Sequence, residues 1–383
     1  MPEPNLTFTF GIEEEFFLVD PETRDLVADP DPGIMERCQR ERGPHTVVPE
    51  LLRSQIETNT RVCGSIAELG AALAETRRLV ADAAETHGAR AMAASTHPFA
   101  AWQEQLITPK QRYREFEIEM QEAVRRLLVG GMHIHAGFGD PDSRVRAMTA
   151  LRRYLPAFIA LSASSPFNAG SFTGFNSYRP VLFGALPRTG VPRAFRSQAE
   201  FDRLVEEYRS VGAIRDSSQL WPDIRPHHAY PTLELRACDI SPRMDDALAL
   251  AALYAATLRW LLRRDASQDL PTEPSTEIIA ENCWRARRYG TLAFLGDVER
   301  GGRIDIADYV EALLEAVAED AEALGCERNL ARIPLILRDG SSADRQVERY
   351  RLCRIEGADH REALSAVVDQ VLEETRTLDI HGK

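Results

Sequence analysis

The chain has 383 residues, of which 44% are hydrophobic and 27% charged, so it can bury a core without disulfides or metal ions. It carries 46 lysine and arginine residues against 59 aspartate and glutamate residues, a formal net charge of −13. This composition excludes small disulfide-stapled domains and disordered tails. The negative field would repel phosphate backbones and anionic membranes, so we expect no nucleic-acid or membrane partner.

The predicted location is the cytoplasm. The six cysteines are scattered without a C-x-x-C pair, which is typical of a reduced intracellular protein. The first ten residues lack the basic region and apolar run of a signal peptide. The longest apolar stretch, Ala247 to Leu262, contains Arg259 and is shorter than the roughly 20 residues that a membrane helix requires.

Lysine occurs only at Lys110 and Lys383. A P-loop needs a lysine at the start of a helix, and a protein kinase needs one on a strand beside the ATP phosphates. Neither lysine of this chain has such a context. A site that handles phosphate here must therefore use arginine, backbone amides or a metal ion.

The predicted strands lie mostly in the first two-thirds of the chain. The first, Leu6 to Val19, is rich in β-branched and aromatic residues and is bounded by Asp20 and Pro21. The other predicted strands are 47–58, 89–95, 131–138 and 232–239.

Predicted helices lie between the strands and dominate the end of the chain. They are 65–87, 109–129, 142–164, 198–211, 242–264, 275–288, 304–324 and 344–375. Ser65, followed three residues later by Glu68, has the pattern of a capping box. We see no repeat and no linker, so we expect one α+β domain over 1–383.

Two long stretches, 165–196 and 217–231, are rich in glycine, proline, serine and aromatic residues. Loops of this length inside a compact chain are uncommon. They are usually lids or binding loops, with disorder as the alternative. We therefore expect site loops at both places.

Side chains alternate between the two faces of a strand, so the positions of polar residues predict which of them lie together. In the first strand, Glu13 and Glu15 share one face, and the large apolar residues share the other. Glu14 falls on the apolar face. This position indicates either a bulge near Gly11 or a buried acid with a partner.

Three further strands show the same pattern of polar residues on one face. The groups are His133 and His135; Glu234 and Arg236; and Gln55, Glu57 and Asn59. One alternative is an antiparallel sheet with a solvated polar face, and for the histidines a hydrogen-bonded structural role. The residue types favour a site that binds metals or phosphates, because carboxylates, histidines and arginines are the side chains that bind these groups. The predominance of oxygen ligands indicates Mg²⁺ or Mn²⁺ rather than zinc.

Seven segments, in order from about Phe10 to Gly290, together resemble the carboxylate-amine ligase family, also called type 2 glutamate-cysteine ligases. They are GIEEEFFLVDPETRDLV, ASTHPF, GMHIHAGF, LSASSPF, TGFNSYRP, PTLELRACDI and ENCWRARRYG. The resemblance implies a glutamine-synthetase-like fold, in which a curved, mostly antiparallel sheet forms a funnel for ATP and divalent metals and helices cover its outer side. It implies an ATP-dependent carbon–nitrogen ligase that makes an amide of the γ-glutamyl-cysteine type through an acyl phosphate. It also implies a homodimer or larger homo-oligomer.

The resemblance implies roles for particular residues. Metal binding is implied for Glu13, Glu15, Glu57 and Glu234. Arg236 would face the ATP phosphates, with His133 lining the same funnel, and Arg179 would meet a substrate carboxylate or phosphate as a catalytic residue beside Arg236. Asn282 and Arg285, which lie one helical turn apart, would close the nucleotide end; the alternative is a packed and capped helix.

The chain departs from the family pattern in the segment SSPFNAGSFTG. It has Asn168 and Phe172 where the resemblance leads us to expect an aromatic residue and then an acid. The identity of the glutamate-like carboxylate and of the amine therefore does not transfer. Two other functions would use the same sheet, an ATP-dependent phosphotransferase and a non-catalytic ATP-binding paralogue. A metallohydrolase fits less well, because the chain has no H-E-x-x-H motif.

Overall fold

A computed structural model of the chain describes residues 7–378. Its strands are β1 (Thr9–Val19), β2 (Thr46–Pro49), β3 (Gln55–Asn59), β4 (Arg90–Met92), β5 (Met132–Gly137), β6 (Phe167–Asn168), β7 (Ser171–Phe172), β8 (Thr189–Gly190), β9 (Trp221–Pro222), β10 (Ile224–Pro226), β11 (Thr232–Leu235), β12 (Phe294–Asp297) and β13 (Gly302–Asp305). Its helices are α1 (Pro32–Glu41), α2 (Ile66–Thr86), α3 (Gln111–Met120), α4 (Glu122–Arg125), α5 (Pro141–Leu151), α6 (Leu155–Ser162), α7 (Arg179–Phe183), α8 (Gln198–Ser210), α9 (Met244–Ala266), α10 (Thr276–Tyr289), α11 (Ile306–Ala316), α12 (Ala318–Leu324), α13 (Glu327–Leu330), α14 (Ile333–Asp339), α15 (Ser342–Ile355) and α16 (His360–Arg376).

The centre of the fold is a seven-stranded sheet in the order β10-β11-β5-β1-β3-β2, with β4 added beside β1. Its neighbouring strands all pair antiparallel. β1 pairs with β3 along one edge, and along its other edge with β5 and then β4. The predicted α+β class and antiparallel sheet are confirmed.

One face of the sheet is apolar and is covered by helices. Phe10, Ile12 and Phe16 of β1 are buried in the main hydrophobic cluster, to which α2, α5 and α9 also contribute. α9 is buried almost all round, as expected of a helix with few polar positions in its first four turns. Over residues 7–378, none of the helices has the length and hydropathy needed to cross a membrane.

Glu14 lies on this apolar face as a buried acid with a partner, which decides between the two alternatives left by the sequence. Arg77 of α2 donates from Nε to Glu14 Oε2 (2.9 Å) and from Nη2 to Oε1 (2.5 Å). Arg77 also donates to the carbonyls of Pro242 (2.6 Å) and Ser241 (2.7 Å). The ion pair thus ties the central strand to α2 and to the segment that enters α9.

Several predicted elements are divided in the structure. The predicted strand 47–58 is a hairpin, in which β2 and β3 pair antiparallel with Val48 opposite Glu57. The predicted helix 109–129 ends at Met120, because Gln121 has a φ of 51°, and only the short α4 follows. The predicted helix 304–324 begins as a strand, β13, which pairs with β12.

The ends of two predicted elements also differ in detail. The first predicted strand begins at Leu6, which lies outside the described residues, and β1 starts at Thr9. At the start of α2, Ser65 Oγ accepts a bond from the main-chain N–H of Glu68 (3.2 Å). The carboxylate of Glu68 accepts from Gly64 instead of Ser65, so the capping box is only half formed.

Candidate active site

The polar face of the sheet forms the floor of a cavity of about 550 Å³. Side chains of β1, β3 and β5 line this floor, among them Glu13, Glu15, Glu57 and His133, and so does Arg236, which directly follows β11. The walls come from α3 and from both of the long stretches predicted as site loops, with side chains that include Phe116, Phe183, Leu186, Trp221 and His227. The second of these stretches also contains β10, a strand that the sequence pattern does not predict.

Strand register makes the polar side chains neighbours. Glu13 stands opposite His133 of β5, and Glu15 stands opposite Glu57 of β3. On the other side of β5, His135 stands opposite a residue of β11, Glu234. The predicted shared faces of these strands are therefore confirmed.

A first cluster of ligand-type side chains consists of Glu13, His135 and Glu234, each with one ligand atom within 4.8 Å of the others. His135 Nδ1 contacts Thr232 Oγ1 (3.1 Å), which leaves Nε2 directed to the cluster side, 3.3 Å from Glu13 Oε1. The Nε2 atoms of both His133 and His135 are buried and make no well-aligned hydrogen bond among the described residues, although His135 Nε2 lies within ion-pair distance of Glu13. Buried, unbonded imidazole nitrogens beside carboxylates form a donor set that fits a divalent cation.

A second cluster consists of Glu15, Glu50 and Glu57, again with ligand oxygens within 4.8 Å of one another. Burial, with the charges of Glu13 and Glu50, raises the pKa of Glu57 well above its ordinary value. Burial and Glu50 also raise the pKa of Glu15 to about 7, against the opposing charge of Arg179. Three carboxylates at this separation are stabilised when a cation lies between them, so this set also fits a metal.

Glu50 is a member of the second cluster that the sequence analysis missed. In a continuous strand over 47–58, Glu50 would face away from Glu57. The turn after β2 reverses the chain and brings both carboxylates to one side. Pro49 was the available signal, because proline within a run of strand residues argues against a continuous central strand. Tyr113 of α3 fixes the carboxylate by donating from its hydroxyl to Glu50 Oε2 (2.8 Å).

Two arginines hold Glu234. Arg225 of β10 donates from Nε to Glu234 Oε2 (2.7 Å), and Arg236 donates from Nη1 to Oε1. Burial opposes the charged form of Glu234, but these two guanidinium groups hold its pKa well below the ordinary value. Arg236 Nη1 also lies 3.5 Å from His133 Nδ1. Arg225 was not predicted, because its strand falls inside a stretch that we predicted to be a loop.

Arg179, the first residue of α7, lies buried beside the floor of the cavity. Its Nη1 donates to two main-chain carbonyls, 3.2 and 3.4 Å away, while its Nε is buried and has no hydrogen-bond partner within residues 7–378. A side chain at Gly131 would place its Cβ 2.4 Å from Arg179 Nη2, so a larger residue there would displace this guanidinium group. Arg179 and Arg236 line a second cavity of about 100 Å³, together with Arg287.

Asn282 and Arg285 of α10 line neither cavity. The Asn282 amide exchanges two bonds with the main chain of Gly296 in β12, at 2.7 and 3.0 Å. Arg285 donates to Glu281 (2.8 Å) and covers the ring of Phe294. These contacts match the packed helix that the sequence left open as the alternative.

The departure from the family pattern also lies away from the cavities. Asn168 and Phe172 belong to the β6–β7 hairpin, and neither lines them. Phe172 is 50% exposed and packs against Phe167, which in turn contacts Tyr350 of α15.

Comparison with known proteins agrees with this architecture. A model of glutamate-cysteine ligase family 2 matches residues 9–370. A Rhodospirillum rubrum protein named "Putative glutamate-cysteine ligase 2" is 45% identical over 378 residues, which are 98% of this chain and 97% of its own.

Two solved structures share the fold at low sequence identity. A glutamate-cysteine ligase from Francisella tularensis, in complex with AMP, has a TM-score of 0.67 at 12% identity over 97% of this chain and 90% of its own. A bifunctional glutathione synthetase from Pasteurella multocida has a TM-score of 0.67 at 14% identity. The match covers 96% of this chain and 53% of that protein. The predictions of fold, family and enzyme class are confirmed. The chain belongs to glutamate-cysteine ligase family 2, a family of carbon–nitrogen ligases.

Proposed function

We propose that this protein is an ATP-dependent ligase that joins a carboxylate to an amine through an acyl phosphate. The observation that carries the proposal is the pair of ligand clusters side by side on one sheet face, bordered by buried arginines. Glutamate and cysteine are the default substrates, because the Rhodospirillum rubrum relative carries that name.

The residues present fit two divalent cations of the Mg²⁺ or Mn²⁺ type. The proposed ligand sets are Glu13, His135 and Glu234, and Glu15, Glu50 and Glu57. They contain the four predicted acids and add His135 and Glu50. When bound, such cations neutralise the nucleotide phosphates and so favour phosphoryl transfer.

The arginines and the cavity walls supply the remaining chemistry. A substrate carboxylate oxygen attacks the γ-phosphorus of ATP and ADP leaves; the amine nitrogen then attacks the acyl carbon, phosphate leaves and the amine loses a proton. Arg236 and Arg179 would neutralise the charge on the transferred group. Phe116 and Trp221, whose rings are 5.3 Å apart, would help to keep water from the acyl phosphate. None of these steps requires a nucleophilic side chain of the protein. The mechanism is therefore compatible with a chain that has two lysines and uses carboxylates and arginines instead.

The experiment that tests the proposal measures ADP release with Mg²⁺, ATP and glutamate, with and without a panel of amines that includes cysteine. Hydroxylamine serves as a further amine, because it converts an acyl phosphate into a stable hydroxamate. We expect ADP to form in proportion to an amide or hydroxamate identified by its mass. ADP with a phosphorylated product that persists when hydroxylamine is present would favour the phosphotransferase. Nucleotide binding without turnover for any acid and amine would favour the non-catalytic paralogue.

Replacing Tyr113 with phenylalanine is expected to weaken Mn²⁺ binding at the second cluster by about 10-fold or more, because groups that orient a metal ligand contribute on this scale. The substitution removes only the hydroxyl that bonds Glu50. Titration of Mn²⁺ into the free protein, followed by electron paramagnetic resonance, measures this effect. Tyr350→Phe is the matched control, because that hydroxyl bonds His360 outside the cavity. Equal Mn²⁺ affinities in Tyr113→Phe and Tyr350→Phe would show that the Tyr113 hydroxyl does not position Glu50 for metal binding.

A further inference from the structure

Asp239 is a buried carboxylate that belongs to neither ligand cluster. It lies just after the end of β11, opposite Gly131, which precedes β5. Its Oδ2 accepts bonds from the hydroxyl of Ser165 (2.7 Å) and from the main-chain N–H of Ser164 (3.0 Å). Its Oδ1 is buried and has no hydrogen-bond partner within residues 7–378. An incompletely bonded carboxylate in the interior is costly, so we expect a function for it beyond packing.

The hydroxyl of Ser165 connects Asp239 to the start of α7. A hydroxyl has one hydrogen to donate and two lone pairs that accept. Ser165 donates to Asp239 and accepts the main-chain N–H groups of Tyr178 (2.7 Å) and Arg179 (3.1 Å). Tyr178 is the N-cap residue of α7, but the capping oxygen comes from Ser165 instead. The carboxylate therefore orients the group that caps α7, and α7 begins at Arg179.

Asp239 also acts on the guanidinium group of Arg179 through its charge. The carbonyls of Arg236 and Cys238, in the segment that leads to Asp239, accept bonds from Nη1 of Arg179. Burial raises the pKa of Asp239, and the positive charge of Arg179 opposes that rise, so the two groups attract each other. Within the part of the chain that the structure describes, Nε of Arg179 has no hydrogen-bond partner, so this donor is left for a ligand.

We propose that Asp239 is a positioning residue that holds Arg179 in place for the transferred phosphoryl group, through the Ser165 hydroxyl and through its own charge. This inference rests on the proposed function, in which Arg179 neutralises the charge on that group. An interaction made with the transition state affects the rate of the reaction more than the binding of ATP. A displaced guanidinium group would therefore lower kcat and leave nucleotide binding nearly unchanged.

The alternative is that Asp239 only joins parts of the fold. Two further bonds tie the chain after β11 to the end of α6, from Asp239 N to Ser162 Oγ (3.1 Å) and from Ser164 Oγ to the carbonyl of Ile240 (2.8 Å). Neither bond uses the carboxylate of Asp239. Replacing only that side chain leaves both bonds in place, so we expect the variant to fold and its effect on Arg179 to be measurable.

The kinetic test measures ADP release with Mg²⁺, ATP, glutamate and hydroxylamine in two variants. Asp239→Asn keeps the size of the side chain and an oxygen for the bonds from Ser164 and Ser165, but it removes the charge. Ser165→Ala removes the capping hydroxyl. We expect each variant to lower kcat about 10-fold or more, because small displacements of a positioned group have effects on this scale. The KM for ATP and the affinity for Mn²⁺ are expected to stay within about twofold, because both ligand clusters are intact.

A double-mutant cycle tests whether Asp239 acts through Arg179. Calorimetry measures the affinity for ADP alone and for ADP with aluminium fluoride, which mimics the transferred phosphoryl group, with Mg²⁺ and glutamate present in both. We expect Asp239→Asn and Arg179→Met each to weaken binding of the fluoride complex about 10-fold or more, and binding of ADP alone less than about twofold. The double variant should bind the complex within about twofold of Arg179→Met, because the group that Asp239 positions is already missing.

Asp320→Asn is the matched control, because Asp320 is an equally buried acid of α12 that lines neither cavity. Its thermal midpoint shows what the same chemical change costs in stability alone. Additive losses in the cycle, equal losses for ADP with and without fluoride, or turnover of Asp239→Asn at the rate of the control would each overturn the positioning role. If the unaltered protein releases no ADP, the proposed function itself fails and this inference fails with it.

Discussion

Replacing Glu13 with glutamine is expected to lower the rate of ADP formation by at least about 100-fold while the protein stays folded. Glu13 Oε2 lies 3.0 Å from His133 Nδ1, and its Oε1 lies 3.3 Å from His135 Nε2. Burial opposes the charged form, but these two histidines hold the pKa of Glu13 below its ordinary value. The carboxylate is therefore ionised and ready to bind a cation, whereas the glutamine amide has the same size and no charge.

The measurement is the steady-state rate of ADP release over a series of Mg²⁺ concentrations, together with Mn²⁺ binding to the free protein. Glu311→Gln is the matched control, because it makes the same chemical change on the exposed side of α11. The thermal midpoint of each variant reports on folding. Turnover of Glu13→Gln at the rate of the control would show that the first cluster holds no metal needed for the reaction.

Alternation along the strands predicted the polar face of the sheet from sequence alone. This works because the period of two is a property of the strand itself and does not depend on what packs against it. The acids of β1, the histidines of β5 and the acid of β11 came together as expected, once register placed the strands side by side. Glu50 and Arg225 were missed because their placement depends on turns, which no periodic pattern describes.

Helical spacing was less informative about the site. A period of 3.6 residues predicts that Asn282 and Arg285 lie near one another on α10, but not which neighbour that face meets. The structure packs this helix against β12 and leaves both residues outside the cavity. The helical pattern over 109–129 likewise did not predict the break at Gln121, because the positive φ of that single residue ends the helix. The single domain and the homo-oligomer stay predictions.

Replacing Arg77 with methionine is expected to lower the free energy of unfolding by about 3–5 kcal/mol, the usual cost of leaving one charge of a buried pair without its partner. Methionine fills much of the space of the arginine stem, so a cavity is not the main effect. The carboxylate of Glu14 would be left in a surrounding of apolar side chains. The carbonyls of Ser241 and Pro242 would lose a donor as well.

Guanidinium unfolding at pH 7 measures this loss, and the double variant Arg77→Met/Glu14→Leu separates its causes. If the unpaired carboxylate is responsible, the double variant regains most of the stability, because removing both charges also removes the desolvation penalty. A double variant as unstable as the single one would instead assign the loss to the two carbonyls. Glu14 lies between Glu13 and Glu15 on β1, with its side chain on the opposite face. The double variant should therefore keep its ligand clusters and its ADP release, because the pair acts on the stability of the strand and does not face the cavity.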